Sequence, residues 1–170
     1  LQANEIVGGS GVLQGRFRGG TLTVSVEELV REMIASSDNL ATNWLIRRLG
    51  MAAINQTIRE LGYSQTRLGR VMLDQAAASR NEENISTPNE MATIFERIYR
   101  GQIGNPRACE QMLDFLRLVK ADLRKTVPAA VPVAAKPGEV VGVRTETGVV
   151  FLNKRPFVVS IMGAFLTEPQ

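Results

Sequence analysis

Histidine is absent from this sequence of 170 residues, and cysteine occurs only once, as Cys109. A single cysteine excludes an internal disulfide and any metal site built from several cysteines. Without histidine the chain also lacks the commonest zinc ligand and the commonest general base. We therefore predict no metal and no cofactor, and any catalysis has to use serine, lysine, glutamate, aspartate or tyrosine.

Aromatic residues and an excess of one charge are also scarce. Aromatics make up 5% of the chain, and 20 basic against 17 acidic residues leave a net charge of +3. A nucleic-acid surface needs a basic stripe with interleaved aromatics, and a membrane span needs about 20 consecutive apolar residues. Neither pattern is present, so we predict no nucleic-acid partner and no membrane span. Length and composition fit one globular domain over residues 1–170.

Helix signals occupy the first part of the chain, at about 21–125. Apolar residues recur there at helical spacing, between residues that are typical of helix starts and ends. These starts and ends are Ser25 with Glu28, Gly50, Gly62, Thr87-Pro88 and Asn105-Pro106. The segment Tyr63–Ser86 has no clean period, and a loop of that length inside a compact domain is usually functional or mobile.

Strand signals replace helix signals after this part, at about 131–166. The segments Val131–Lys136, Glu146–Leu152 and Phe157–Phe165 are rich in valine, isoleucine and phenylalanine, which favour strands. A four-residue turn at 153–156 predicts an antiparallel hairpin of the last two. The expected fold class is α+β, with a helical body followed by a small antiparallel sheet.

Two short motifs point to chemistry. Ser37-Asp38-Asn39 lies between two predicted helices, where such residues ordinarily cap helix ends. Lys136-Pro137-Gly138 closes the first predicted strand. A Ser-Asp-Asn turn followed by a lysine and glycine at a strand end represents two of the three signatures of penicillin-recognising serine enzymes.

On these residues the chain resembles the class A β-lactamases. Similar proteins read Ser-Asp-Asn-x-Ala-x-Asn-x-Leu, and the segment here is Ser37-Asp38-Asn39-Leu40-Ala41-Thr42-Asn43-Trp44-Leu45. They also carry Ser-Thr-Pro or Thr-Thr-Pro at a helix start, matched by Ser86-Thr87-Pro88. The order and spacing extend from about Gly8 to Phe165. The resemblance implies a β-lactamase/transpeptidase-like fold, a penicillin-binding hydrolase linked to antibiotic resistance, and a periplasmic or secreted location.

The resemblance also implies catalytic roles for three residues. Ser37 would pass a proton to the nitrogen that leaves, since a hydroxyl both donates and accepts. Asn39 would hold the substrate's side-chain carbonyl and orient the lysine of the nucleophile. Lys136 would place a positive charge near the substrate carboxylate, and Asp38 would brace the turn from inside. We expect Ser37, Asn39 and Lys136 to converge in one cleft, with side-chain tips about 3 to 6 Å apart.

Substrate binding is expected to involve residues just after the lysine. Gly138 closes the motif, and the backbone N–H of Glu139 would contribute to the oxyanion hole. Arg144 would add a second contact to the substrate carboxylate, because its guanidinium can bind in bidentate fashion. The alternative for Arg144 is a solvated surface arginine.

The sequence departs from the family pattern at three places. No lysine has a serine three positions before it, so the Ser-x-x-Lys signature of the nucleophile is absent. Met72 stands where the glutamate that activates water is expected, and the nearby carboxylates are out of register; they are Asp74, Glu82 and Glu83. Pro137 replaces the usual threonine, whose hydroxyl binds the substrate carboxylate.

From the missing signature we expect an internal fragment of a longer protein, inactive alone, without the Ser-x-x-Lys segment and the C-terminal helix. Its strand edge at Phe157–Phe165 would pair with an N-terminal segment or with a second copy. The predicted function of the parent protein is a serine hydrolase that opens β-lactams, or related acyl amides or esters, through an acyl-enzyme. The alternatives are a penicillin-binding or esterase-like enzyme with slow deacylation, and a non-catalytic domain that retains the fold.

Overall fold

The computed structural model describes residues 1–167. The chain divides into two compact units, the first Leu1–Ser86 and the second beginning at Thr87. The first unit is helical, and the second combines helices with a three-stranded antiparallel sheet. The predicted α+β class is therefore confirmed. Within the described residues, no helix is both long and apolar enough to cross a membrane.

The first unit packs its helices around a small apolar core. Its helices are α1 Val26–Ala35, α2 Asn39–Leu49, α3 Met51–Glu60 and α4 Gln75–Ser79, preceded by short 3₁₀ helices at Ala3–Glu5 and Leu13–Arg16. As predicted, the Ser25 hydroxyl caps α1 by accepting the Glu28 N–H, and α2 ends at Gly50. The core consists of Leu13, Leu29, Leu40, Ala41 and Leu45.

The second unit begins with two helices that pack on its sheet. Its elements are α5 Pro88–Tyr99, α6 Pro106–Arg117, a 3₁₀ helix at Asp122–Thr126, β1 Val133–Val140, β2 Val143–Val150 and β3 Phe157–Gly163. The caps predicted for α5 and α6 are present, at Thr87 and Asn105. Helix α5 packs on β2 and β3, and α6 packs on β1. The strand order is β1-β2-β3, so the predicted hairpin of the last two strands is confirmed.

The boundaries of β1 and β2 differ from those predicted. Strand β1 does not end at Lys136 but continues to Val140, and β2 starts at Val143 rather than Glu146. The two strands form a tight hairpin, and Gly142 supplies the left-handed backbone (φ +73°) that the turn requires. The Lys136-Pro137-Gly138 motif therefore lies in the middle of β1.

Proline is tolerated inside β1 because of its position on the ladder. The Phe151 N–H donates to the Pro132 carbonyl at 3.0 Å, which fixes the alternation of hydrogen-bonded pairs between β1 and β2. With this alternation, the backbone carbonyls of Pro137 and Glu139 and the Glu139 N–H point away from β2. Pro137 therefore removes no bond from the ladder, as expected for proline in an edge strand.

Candidate active site

The Ser-Asp-Asn turn of the first unit is held by one buried carboxylate. Asp38 is 1% exposed, and its Oδ2 accepts the backbone N–H groups of Val12 (2.7 Å) and Leu13 (2.9 Å). Its Oδ1 accepts the Ala41 N–H at 2.9 Å and thereby caps α2. One side chain thus ties the start of α2 to the 3₁₀ helix at Leu13–Arg16. The inward, bracing geometry expected for Asp38 is present.

The Asp38 carboxylate fits beside Gly11 because glycine has no Cβ. A Cβ at Gly11 would lie 2.3 Å from Asp38 Oδ2 and 2.7 Å from Asp38 Cα, and the φ of Gly11 is +123°. Both the space and the backbone conformation therefore require glycine. The glycine-rich opening of the chain therefore packs directly against the Ser-Asp-Asn turn.

Ser37 has a backbone conformation that serine rarely adopts. Its φ is +52°, in the left-handed region, which costs a residue with a Cβ about 1 to 2 kcal/mol. The neighbouring hydrogen bonds of Asp38 hold the turn against this cost. Residues kept in such conformations cluster at functional sites. The hydroxyl of the preceding residue, Ser36, donates to the Glu32 carbonyl at 3.0 Å.

Asn39 lies against the glycine-rich segment. Its side-chain amide donates to the Gly8 carbonyl at 3.2 Å, and its backbone N–H donates to the Ser10 carbonyl at 3.1 Å. A Cβ at Gly9 would lie 2.5 Å from the amide nitrogen. The side chain is half-buried, so its amide is positioned by contacts rather than left to rotate in solvent.

Two asparagine side chains fasten the long loop to the helices. Asn43 on α2 donates to the Met72 carbonyl (3.0 Å) and accepts the Met72 N–H (2.7 Å). Asn55 on α3 makes the same pair of bonds with Leu68, both at 2.8 Å. The loop ends also meet, in a bridge between Arg67 and Ile85. In the sequence, Asn43 is marked only as part of the motif that begins with Ser37, and nothing marks Asn55. A side chain that bonds to distant backbone leaves no local sequence pattern.

The three carboxylates near Met72 are engaged elsewhere. Asp74 caps α4 by accepting the Ala77 N–H at 2.9 Å. Glu83 accepts a hydrogen bond from Arg70 Nε at 2.8 Å. Glu82 pairs with Arg80 at 2.7 Å, and this hydrogen bond holds the pKa of Glu82 below its ordinary value. Each carboxylate thus has a partner of its own in the loop.

Lys136 of the second unit is a partly buried lysine on β1. Its Nζ donates to the Pro137 carbonyl at 2.8 Å. Burial lowers the pKa of Lys136 below its ordinary value, because the charged form loses hydration. The lowered pKa shifts Lys136 towards its neutral amine relative to an exposed lysine.

Gly138, Glu139 and Arg144 follow on the same hairpin. A Cβ at Gly138 would lie 2.7 Å from Thr145 Oγ1, so this position leaves little room for a side chain. Arg144 lies opposite Glu139 in the register, and the two side chains form an ion pair at 2.9 Å. Arg144 is exposed, as in the solvated alternative, but it has a carboxylate partner of its own.

The predicted residues therefore fall into two groups, each inside one unit. Ser37, Asp38 and Asn39 share the turn at the start of α2, and the others share the β1–β2 hairpin. Their convergence in one cleft stays a prediction. A cavity of about 550 Å³ lies between α5 and β3, and none of the predicted residues lines it.

Comparison with known proteins gives a consistent result. The model of the beta-lactamase enzyme family matches residues 1–165. The beta-lactamase ROB-1 of Haemophilus influenzae is 28% identical over 152 residues, which cover 85% of this chain and 50% of that protein. The chain thus spans about half the length of this curated relative. It is also 37% identical over 87 residues to the beta-lactamase of Streptomyces albus G, and this match covers 27% of that protein.

Solved structures support the same fold. The beta-lactamase of Sphaerobacter thermophilus is 28% identical, with a TM-score of 0.86 over 98% of this chain and 64% of that chain. A mutant of PBP-A, solved as an acyl-enzyme complex with penicillin-G, is also 28% identical, with a TM-score of 0.82 over 95% of this chain and 61% of that chain.

Proposed function

The chain belongs to the beta-lactamase enzyme family, and on that premise we propose that the full-length protein is a serine β-lactamase-like hydrolase. It would open the amide of β-lactams, or of related acyl amides and esters, through an acyl-enzyme. The observation that carries the proposal is the Ser-Asp-Asn turn, in which strained Ser37 is held beside Asn39 by the buried carboxylate of Asp38. The acyl-enzyme of the PBP-A mutant with penicillin-G supports the same chemistry.

The proposed proton path uses Ser37 and Lys136. The Ser37 hydroxyl donates a proton to the leaving nitrogen and recovers one from its neighbours, since a hydroxyl both donates and accepts. Lys136, whose pKa is lowered by burial, would bias the transfer as the resemblance implies. Asn39 holds the acyl side chain of the substrate, and the Glu139 N–H, on the outer side of β1, stabilises the oxyanion.

The second step, hydrolysis of the acyl-enzyme, is proposed to be the slow one. The Asn43 side chain fixes the backbone of Met72, the residue that stands in the sequence where the family has its general base. A thioether cannot accept a proton from water. The nearby carboxylates are committed to Arg70, to Arg80 and to the cap of α4. Acylation is therefore expected to outrun deacylation.

Activity is proposed for the full-length protein, because the 170 residues contain no Ser-x-x-Lys pair to supply the nucleophile. A periplasmic or secreted location and a part in antibiotic resistance are proposed with it. Strand β3 ends the described sheet, with Phe157 44% and Ile161 64% exposed. We propose that an N-terminal segment or a second copy pairs along β3, because an apolar edge strand favours strand addition.

A pair of neighbouring serines provides the test. Ser37→Ala in the full-length protein is expected to lower kcat/KM for a chromogenic cephalosporin, which reports the acylation step, by about 10² to 10⁴, the range of a lost general acid-base group. Ser36→Ala removes a half-buried hydroxyl that donates to Glu32, and it is expected to keep activity within about threefold, because no step of the proposed reaction uses it. Equal losses in the two variants, or no hydrolysis by the wild type, would count against the proposal.

A further inference from the structure

An exposed leucine in the long loop has a backbone conformation that leucine disfavours. Leu73 follows Met72, its φ is +61°, and it is 46% exposed. The left-handed region is unfavourable for a residue with a Cβ. A side chain that stays largely in water also gains little from burial to offset this strain. The residues around Leu73 therefore have to impose its conformation.

Hydrogen bonds on both sides of Leu73 hold the chain in this conformation. Before it, the Asn43 side chain bonds to both backbone groups of Met72, at 2.7 and 3.0 Å. After it, Asp74 caps helix α4, and its side chain accepts the Ala77 N–H at 2.9 Å. Both neighbours of Leu73 are thus fixed. Backbone strain that persists because the surrounding contacts enforce it is concentrated at functional sites.

The Leu73 side chain lies next to the side-chain amide of Asn39. A Cβ placed on Gly9 would lie 3.0 Å from Leu73 Cδ1 and 2.5 Å from Asn39 Nδ2, so the leucine methyl and the amide flank the same point. The amide is held there by its hydrogen bond to the Gly8 carbonyl, at 3.2 Å. Gly9 is exposed, so this corner of the first unit is open to solvent. An apolar group and a hydrogen-bonding group thus lie side by side at an accessible place.

On the basis of the proposed function, we infer that Leu73 is a specificity-determining residue that selects substrates with a large apolar group on the acyl side chain. In that function Asn39 holds the carbonyl of the acyl side chain, so the group attached to this carbonyl lies beside Leu73. A large apolar group there leaves water for contact with the leucine, whereas a small group gains little. Penicillin-G, with its phenylacetyl side chain, has such a group.

Two penicillins that differ only in the acyl side chain test the inference on the full-length protein. One is penicillin-G, with its phenylacetyl group, and the other carries an acetyl group in its place. The rate of mass increase at several concentrations gives the second-order rate constant of acylation for each penicillin. The ratio of the two rate constants does not depend on the fraction of folded protein, so a partly unfolded variant remains informative.

Leu73→Asn is expected to lower the phenylacetyl-to-acetyl ratio about three- to tenfold, the effect of removing one partly exposed leucine from an apolar contact. Asparagine tolerates the left-handed region, so the melting temperature should stay the same or rise while the ratio falls. Leu73→Met remains apolar at nearly the same volume and should keep the ratio within about twofold. Leu118→Asn, the same change at a leucine that is 58% exposed and has a φ of −78°, should leave the ratio unchanged.

Two results would overturn the inference alone. One is a wild type that is acylated and a Leu73→Asn variant with the same ratio, and the other is an equal fall of the ratio in Leu118→Asn. If the wild type gains mass from neither penicillin, the proposed function itself fails, and the inference fails with it. The two failures are thus distinguishable.

Discussion

Removal of the Asp38 carboxylate should destabilise the protein far more than removal of an ordinary helix cap. Asp38→Ala leaves the N–H groups of Val12, Leu13 and Ala41 without their acceptor in a site that is 1% exposed. An unsatisfied buried donor costs about 1 to 3 kcal/mol. Because such losses are not additive, we expect a decrease of about 3 to 5 kcal/mol in the free energy of unfolding.

Urea denaturation of the full-length protein measures this loss, with Asp74→Ala as the matched control. Asp74 also caps a helix, but its side chain accepts a hydrogen bond from one backbone N–H, that of Ala77. A lost cap costs about 0.5 to 2 kcal/mol. Asp38→Asn should fall between the two, since an amide can satisfy part of the set. If Asp38→Ala costs no more than Asp74→Ala, the carboxylate does not hold the turn as argued.

Three further changes test other contacts. Gly11→Ala should lower the free energy of unfolding by about 3 kcal/mol or more, because its Cβ would contact Asp38 too closely and its φ is strained. Gly15→Ala, which has open space around it, should leave the free energy of unfolding unchanged, and thermal melts compare the two variants. Asn43→Ala should free the backbone of Met72 and lower the free energy of unfolding by about 2 to 4 kcal/mol. Limited proteolysis should then cut the Tyr63–Ser86 segment, and a segment as resistant as in the wild type would contradict the role of Asn43. Because the pKa of Lys136 is lowered by folding, the unfolded state binds more protons between the two pKa values, and stability rises with pH there. Lys136→Met should flatten that rise, which chemical denaturation across pH measures.

Local signals in the sequence were enough to predict α1, α2, α3, α5 and α6. Helix α4, Gln75–Ser79, was missed, because it is a single short turn pattern inside the segment predicted as a loop. Ser25, Thr87 and Asn105 each accept the backbone N–H that a capping residue accepts, because capping depends on residues within one turn. The strand limits were less predictable. The sequence predicts a strand end at Lys136-Pro137-Gly138, yet β1 continues to Val140, because the cost of proline depends on which side of the ladder it faces.

The site was predictable in its residue types but not in its supports. Asp38 was expected to point inward, but its partners Val12 and Leu13 are distant in sequence, and no local pattern identifies them. The Glu139–Arg144 pair depends on a register that the predicted strands did not include. Long-range contacts such as these follow from the fold, so they become visible only once the chain is folded.

The central claim is that the full-length protein forms an acyl-enzyme and hydrolyses it slowly. An intact-mass time course after addition of penicillin-G measures both steps at once. We predict a mass increase equal to one whole penicillin molecule, since ring opening releases no fragment, followed by a slow return to the free mass. The Met72→Glu variant, which restores a base to the clamped backbone position, should return faster by about 10² or more. A protein whose mass stays unchanged throughout, with no turnover of the penicillin, would contradict the claim.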